Sequence, residues 1–117
     1  MKKTDLVYVQ DMIASINQIE KFLKETDFDG FVQDDRTQFA VFYALEVVGE
    51  AANKLSKEFR AENSQVPVRE AVEMRNILIH GYDEIKLEIV WKTIYDHVFP
   101  LRKQLEEIAA NIPLDQR

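Results

Sequence analysis

The sequence predicts an all-α protein, an antiparallel helical bundle of four to five helices formed by a single domain over residues 1–117. Three observations point there. Only three glycines and three prolines occur in 117 residues, so few positions force the chain out of helical geometry. No stretch alternates apolar and polar side chains as a half-buried strand would. Long segments instead repeat apolar residues at helical spacing, and short connections join them, which suits helices folded back on their neighbours.

The first helix is expected from about Asp5 to Thr26, where Leu6, Val9, Ile13, Ile16, Ile19 and Leu23 recur every three to four residues. Asp27-Phe28-Asp29-Gly30 breaks it. A second helix starts near Asp34 or Asp35, either of which offers a carboxylate to the free amides of the first turn, and it ends near Phe59. Asn63 to Val66 form a loop, and Pro67 suits the first turn of a third helix that stops at Gly81. The fourth runs from about Lys86 to Val98 on Leu87, Val90, Trp91, Ile94 and Val98. Pro100 must kink it or restart it, because proline deletes a hydrogen bond and its ring clashes one turn back. Leu101, Leu105 and Ile108 mark the last helix, Leu101 to about Asn111.

Two of these helices depart from simple amphipathicity. At 100° per residue, the second collects Val41, Leu45, Val48, Ala52, Leu55 and Phe59 on a core face. Its other side begins with Phe39, Phe42 and Tyr43 and then turns polar through Glu46, Glu50, Asn53 and Lys57. The first half is thus apolar all round, as expected of a helix central to the bundle or covered by a second subunit. Gly49 costs about 1 kcal/mol against alanine in mid-helix, and with Ala51 and Ala52 beside it a close helix–helix approach is the explanation. In the third helix Val68, Ala71, Val72, Leu78 and Ile79 form the apolar arc, and Arg75 falls in its middle. A guanidinium turned to the core must be paired, since its charge cannot be titrated away. Either Glu46 or Glu50 supplies the partner, or Arg75 lines a cleft that takes an anion. Asn76 and His80 lie four residues apart on one side of that helix. His80 precedes Gly81 at a C-terminal end that favours the protonated imidazole, which suits either a charge-complementing cap or a proton donor.

Composition narrows the function. The chain carries 21 acids and 15 bases, a net charge of −6, with 46% apolar and 31% charged residues and no cysteine. This excludes disulfides, thiolate metal sites and cysteine nucleophiles, and it fits a reducing cytoplasm. The longest apolar run, Phe39 to Leu45, is far short of the roughly 18 residues of a membrane span. Asp5 and Asp11 interrupt any signal-peptide core, which argues against secretion. Two histidines among scattered carboxylates make no recognisable metal constellation, and no glycine-rich phosphate loop is present. Bulk charge argues against non-specific nucleic-acid binding, but it is uneven: −4 over residues 1–35, zero over 36–82 and −2 over 83–117. The neutral third contains Arg75 and His80. His97, beside Asp96 and near Pro100, reads as exposed or capping.

The string Met74-Arg75-Asn76-Ile77-Leu78-Ile79-His80-Gly81-Tyr82 resembles the signature of HEPN-superfamily proteins, an arginine, four residues and a histidine. The tyrosine two places on makes it similar to HepT-like toxins, whose motif is Arg-x4-His-x-Tyr. Arg36-Thr37-Gln38, the block Leu45 to Ala52, and Leu87 to Trp91 also resemble recurring family segments, so the similarity covers nearly the whole chain. Val68 departs from it, standing where a tryptophan is expected. The resemblance implies a HEPN-like bundle, active in the cytoplasm as a homodimer without metal or cofactor: a ribonuclease toxin neutralised by a minimal nucleotidyltransferase antitoxin. Arg75 and His80 of two protomers would then face each other as the catalytic residues, with Asn76 orienting His80 or the phosphate. Glu46, Glu50 and Asn53 either line that cleft or belong to a solvated, salt-bridged face. Tyr82 would accept AMP from the partner enzyme, or simply pack over the helix end. The rival readings are a non-catalytic helical module that binds a nucleotide or a nucleotidyltransferase, and a purely structural interaction domain.

Overall fold

Leu6, Val9, Met12, Ile16, Ile19 and Leu23 become the buried stripe of α1 (Lys3–Leu23). The protein is seen in a computed structural model that describes residues 1–112, and every regular element among the described residues is helical. The break at Asp27 starts a new element at once: its carboxylate accepts a 2.8 Å hydrogen bond from the Gly30 amide and caps the short α2 (Phe28–Val32). This single turn buries Phe31 completely. Asp34 caps α3 (Asp35–Asn53) through the amide of Thr37 at 3.1 Å and its hydroxyl at 2.6 Å.

The second expected helix does not run through to Phe59. It stops at Asn53, and Ser56 caps a separate α4 (Lys57–Glu62) by accepting from the Phe59 amide at 3.0 Å. The cause lies far away in sequence. Asp5, 1% exposed, accepts from the Ser56 amide at 2.8 Å and from its hydroxyl at 2.6 Å. Ser56 is thereby held in the extended conformation that a cap requires. Arg60 closes the same corner by donating to the carbonyls of Asn53 and Leu55, which covers the bare C-terminal end of α3.

Pro67 stands just before α5 (Val68–His80) as its N-cap residue rather than within its first turn, and Val68 is buried. A 3-10 turn, Tyr82–Glu84, leads to α6 (Leu87–Thr93). Pro100 stands in the first turn of the last helix, as a restart there requires. A π-helical turn, Ile94–Val98, carries α6 directly into α7 (Phe99–Ala110), with the Phe99 amide donating to the Ile94 carbonyl. The wider turn precedes the proline, whose missing amide falls in the first turn of α7.

In the bundle, α3 lies between α1 and α5, α7 packs on α1, and α2 bridges α3 and α6. The backbone spans 46 × 28 × 19 Å. One flank of the central helix stays in solvent. Phe39 is 57% and Tyr43 69% exposed there. No helix among the described residues is long and apolar enough to cross a membrane.

Candidate active site

The site begins with an absent side chain. A Cβ on Gly49 would lie 2.3 Å from Arg75 Cβ and 2.9 Å from the Ala71 carbonyl oxygen. Glycine thus lets α3 and α5 meet with the stem of Arg75 laid across the crossing, which is why an arginine sits in the middle of an apolar arc. Ala71 and Leu78 on that arc are buried, whereas Ile79 is exposed rather than part of the core.

Arg75 is 17% exposed, with its stem covered and its head at the rim. Nη1 is paired with Glu50 Oε2, and Nε donates to Asn76 Oδ1 at 3.2 Å. Lys54 Nζ stands 4.0 Å from the other Glu50 oxygen. The result is a row of alternating groups, Lys54, Glu50, Arg75 and Asn76, across two helices. Glu50 is the partner of Arg75. Glu46, one turn earlier and half-buried, makes no ion pair among the described residues. Asn53 is at the end of α3, where its backbone carbonyl accepts from Arg60 at 3.1 Å, and no interaction joins its side chain to Arg75. Lys54 is the member the sequence reading left out, although its i, i+4 spacing from Glu50 was a signal.

His80 is the last residue of α5 and is exposed, and its side chain makes no hydrogen bond or ion pair among the described residues. The Gly81 amide donates to the Ile77 carbonyl at 2.8 Å and ends the helix. His80, Gly81, Asp83 and Glu84 line a shallow depression in which two carboxylates accompany the imidazole. The backbone of Tyr82 belongs to the turn there, while its side chain lies outside what the structure describes. His97 is exposed in the π-helical turn and has no partner among the described residues. No group of three His, Cys, Asp or Glu side chains among the described residues could hold a metal ion.

A guanidinium has five N–H donors. Two are engaged by Glu50 and Asn76, leaving three for an incoming anion. A carboxylate and an amide therefore fix the orientation of Arg75 without exhausting it.

Comparison with known proteins places the chain in a family. Residues 12–108 match the family described as ribonuclease HepT-like. The chain is 35% identical over 108 residues to "Probable ribonuclease HepT" of Thermococcus cleftensis, covering 92% of this chain and 98% of that protein. A Methanocaldococcus jannaschii protein named "Putative RNase" is 35% identical over 107 residues, covering 91% of this chain and 98% of the relative. Another of that name from Caldanaerobacter subterraneus is 36% identical over 106 residues, covering 91% and 95%. No solved structure matches the chain. With the family model spanning most of its length and the Arg75 and His80 spacing set on one helix, the chain belongs to the HepT-like ribonuclease family.

Proposed function

We propose that the protein is a metal-independent endoribonuclease toxin whose active site forms from Arg75 and His80 of two protomers. The observation that carries this reading is the pairing on α5 of an oriented guanidinium with unused donors and a solvent-facing histidine with no internal partner. In the reaction the ribose 2′-oxygen forms a bond to phosphorus and the bond to the 5′-oxygen breaks. One His80 takes the 2′-hydroxyl proton, and the partner's His80 gives a proton to the departing 5′-oxygen. The products are a 2′,3′-cyclic phosphate and a free 5′-hydroxyl. An imidazole can take up or give a proton in either task, and a two-fold arrangement supplies both from one sequence. Arg75 holds the phosphate and stabilises the charge that builds on it, as guanidinium groups do with phosphate oxygens.

Helical spacing supports the dimer. Phe39, Tyr43, Glu46 and Glu50 follow one another at three to four residues along the exposed flank of α3. The two solvent-facing aromatics thus lead to the Glu50–Arg75 pair, and covering them with a second copy brings two Arg75 side chains together. Glu50 and Asn76 orient the arginine, whereas Glu46 and Asn53 border the cleft. A minimal nucleotidyltransferase antitoxin neutralises the toxin by transferring AMP to Tyr82. The Tyr82 oxygen bonds to the α-phosphorus of ATP, pyrophosphate leaves, and the added phosphate competes for Arg75.

The test is induced expression of the wild type and His80→Ala without a partner, with end analysis of the RNA, followed by purified protein in excess chelator. Cyclic-phosphate ends are expected from the wild type with chelator present, and a loss of about a hundredfold or more from His80→Ala. Undiminished cleavage by His80→Ala would overturn the chemistry. Intact RNA alongside binding of a nucleotidyltransferase would make the protein a non-catalytic module.

A further inference from the structure

A second feature of α5 lies on the flank turned away from Arg75. Glu70, Met74 and Ile77 recur there every three to four residues and, with Ile85, Ile89 and Val90 on the far side, wall a groove of about 450 Å³. Ile77 is 58% and Ile89 57% exposed. The rim is acidic, with Glu70, Glu73 and Glu84 against one base, Lys86.

We propose that this groove is a docking site for a basic amphipathic helix of a partner protein. Its walls are branched aliphatic and thioether side chains, which pack against apolar helix positions. Glu70 to Ile77 spans about 10 Å along the axis, enough to meet anchors at i, i+3 or i+4, and i+7 of an incoming helix. Charge decides what those anchors are flanked by. Three carboxylates favour lysine and arginine beside the apolar positions and oppose phosphates, and among the described residues no aromatic ring lines the groove for a base to stack on. Docking here does not depend on whether the molecule cuts RNA. Glu84 borders both the groove and the depression around His80, so an occupant would also lie beside that histidine.

The experiment is a methyl-labelled NMR titration of the whole protein with two synthetic helices of about fifteen residues, identical in leucine positions and flanked by lysine or by glutamate. The lysine helix is expected to shift the methyls of Ile77, Ile85 and Ile89, and the glutamate helix to leave them in place. Ile89→Glu, at an exposed position outside the proposed catalytic groups, should weaken the lysine helix about tenfold or more while leaving distant core methyls unshifted. Glu70→Lys with Glu73→Lys should reverse the preference between the helices. Equal binding of both helices, shifts centred on α1 and α3, no binding at all, or an oligoribonucleotide moving the same groove methyls would each overturn the proposal.

Discussion

Gly49 and Arg75 occupy space that admits only one side chain. A methyl group at Gly49 meets an arginine Cβ and a backbone carbonyl, neither of which can swing aside as a flexible side-chain tip would. Gly49→Ala gains about 1 kcal/mol of helix propensity but incurs overpacking of about 1–3 kcal/mol. The second effect should win because α3 and α5 must move apart to relieve it. We expect a lower urea midpoint for Gly49→Ala, and weaker RNA cleavage than the stability loss explains, because Arg75 is displaced with α5. A midpoint at or above that of the wild type would show that the crossing can open freely. Arg75 was legible as an anomaly in the sequence because it interrupts an apolar arc. The choice of Glu50 over Glu46 was not, since one turn of α3 separates them and only the crossing at Gly49 selects between them.

At the scale of elements, carboxylates define where helices begin, Asp34 by capping α3 and Asp5 by holding the cap of α4, and the two make different predictions. Asp5 lies on the buried stripe of α1, at the spacing of Leu6, Val9 and Met12, and ties α1 to the start of α4. Asp5→Ala removes the acceptor for two Ser56 donors in a buried setting and should cost about 1–3 kcal/mol in denaturant unfolding; a cost near zero would mean that Ser56 caps α4 unaided. Asp34 is exposed, and the hydrogen bond from the Thr37 hydroxyl, followed by that from the Thr37 amide, holds its carboxyl below the usual carboxylate range. A depressed folded-state value means the stabilisation is complete above the ordinary Asp value near 3.9 and fades as pH falls through the lowered one. The urea midpoint of Asp34→Ala should therefore lie below the wild type at neutral pH and converge on it in strong acid. A gap independent of pH would assign the effect to the backbone. Helix type and spacing were readable for α1, α3 and α5 from periodicity alone. The end of α3 and the π-helical turn before Pro100 were not, because periodicity continues across both, and a distant carboxylate sets the first.

At the scale of the molecule, the bundle leaves the aromatic flank of α3 in solvent, and the proposed dimer uses it. Tyr43→Asp should give a monomer in light scattering that retains its helical spectrum yet no longer cleaves RNA, with Arg75 and His80 unchanged. A fully active monomer would reject the two-protomer site. An acidic total of −6 is compatible with such a site, because a few directed guanidinium contacts can hold a phosphate where bulk charge does not attract one. The sequence by itself determined the all-α class, the main helices, the close approach at Gly49 and the Arg75/His80 spacing, because each is written in residues that neighbour one another along a helix. Tertiary structure alone decided that Glu50 rather than Glu46 faces Arg75, that Asp5 ends the run of α3 through Ser56, that Ile79 stays in solvent, and that an acid-rimmed groove opens behind the motif. Those outcomes depend on which helices touch and at what depth, and helical periodicity fixes a residue's direction around its own axis without saying what stands opposite.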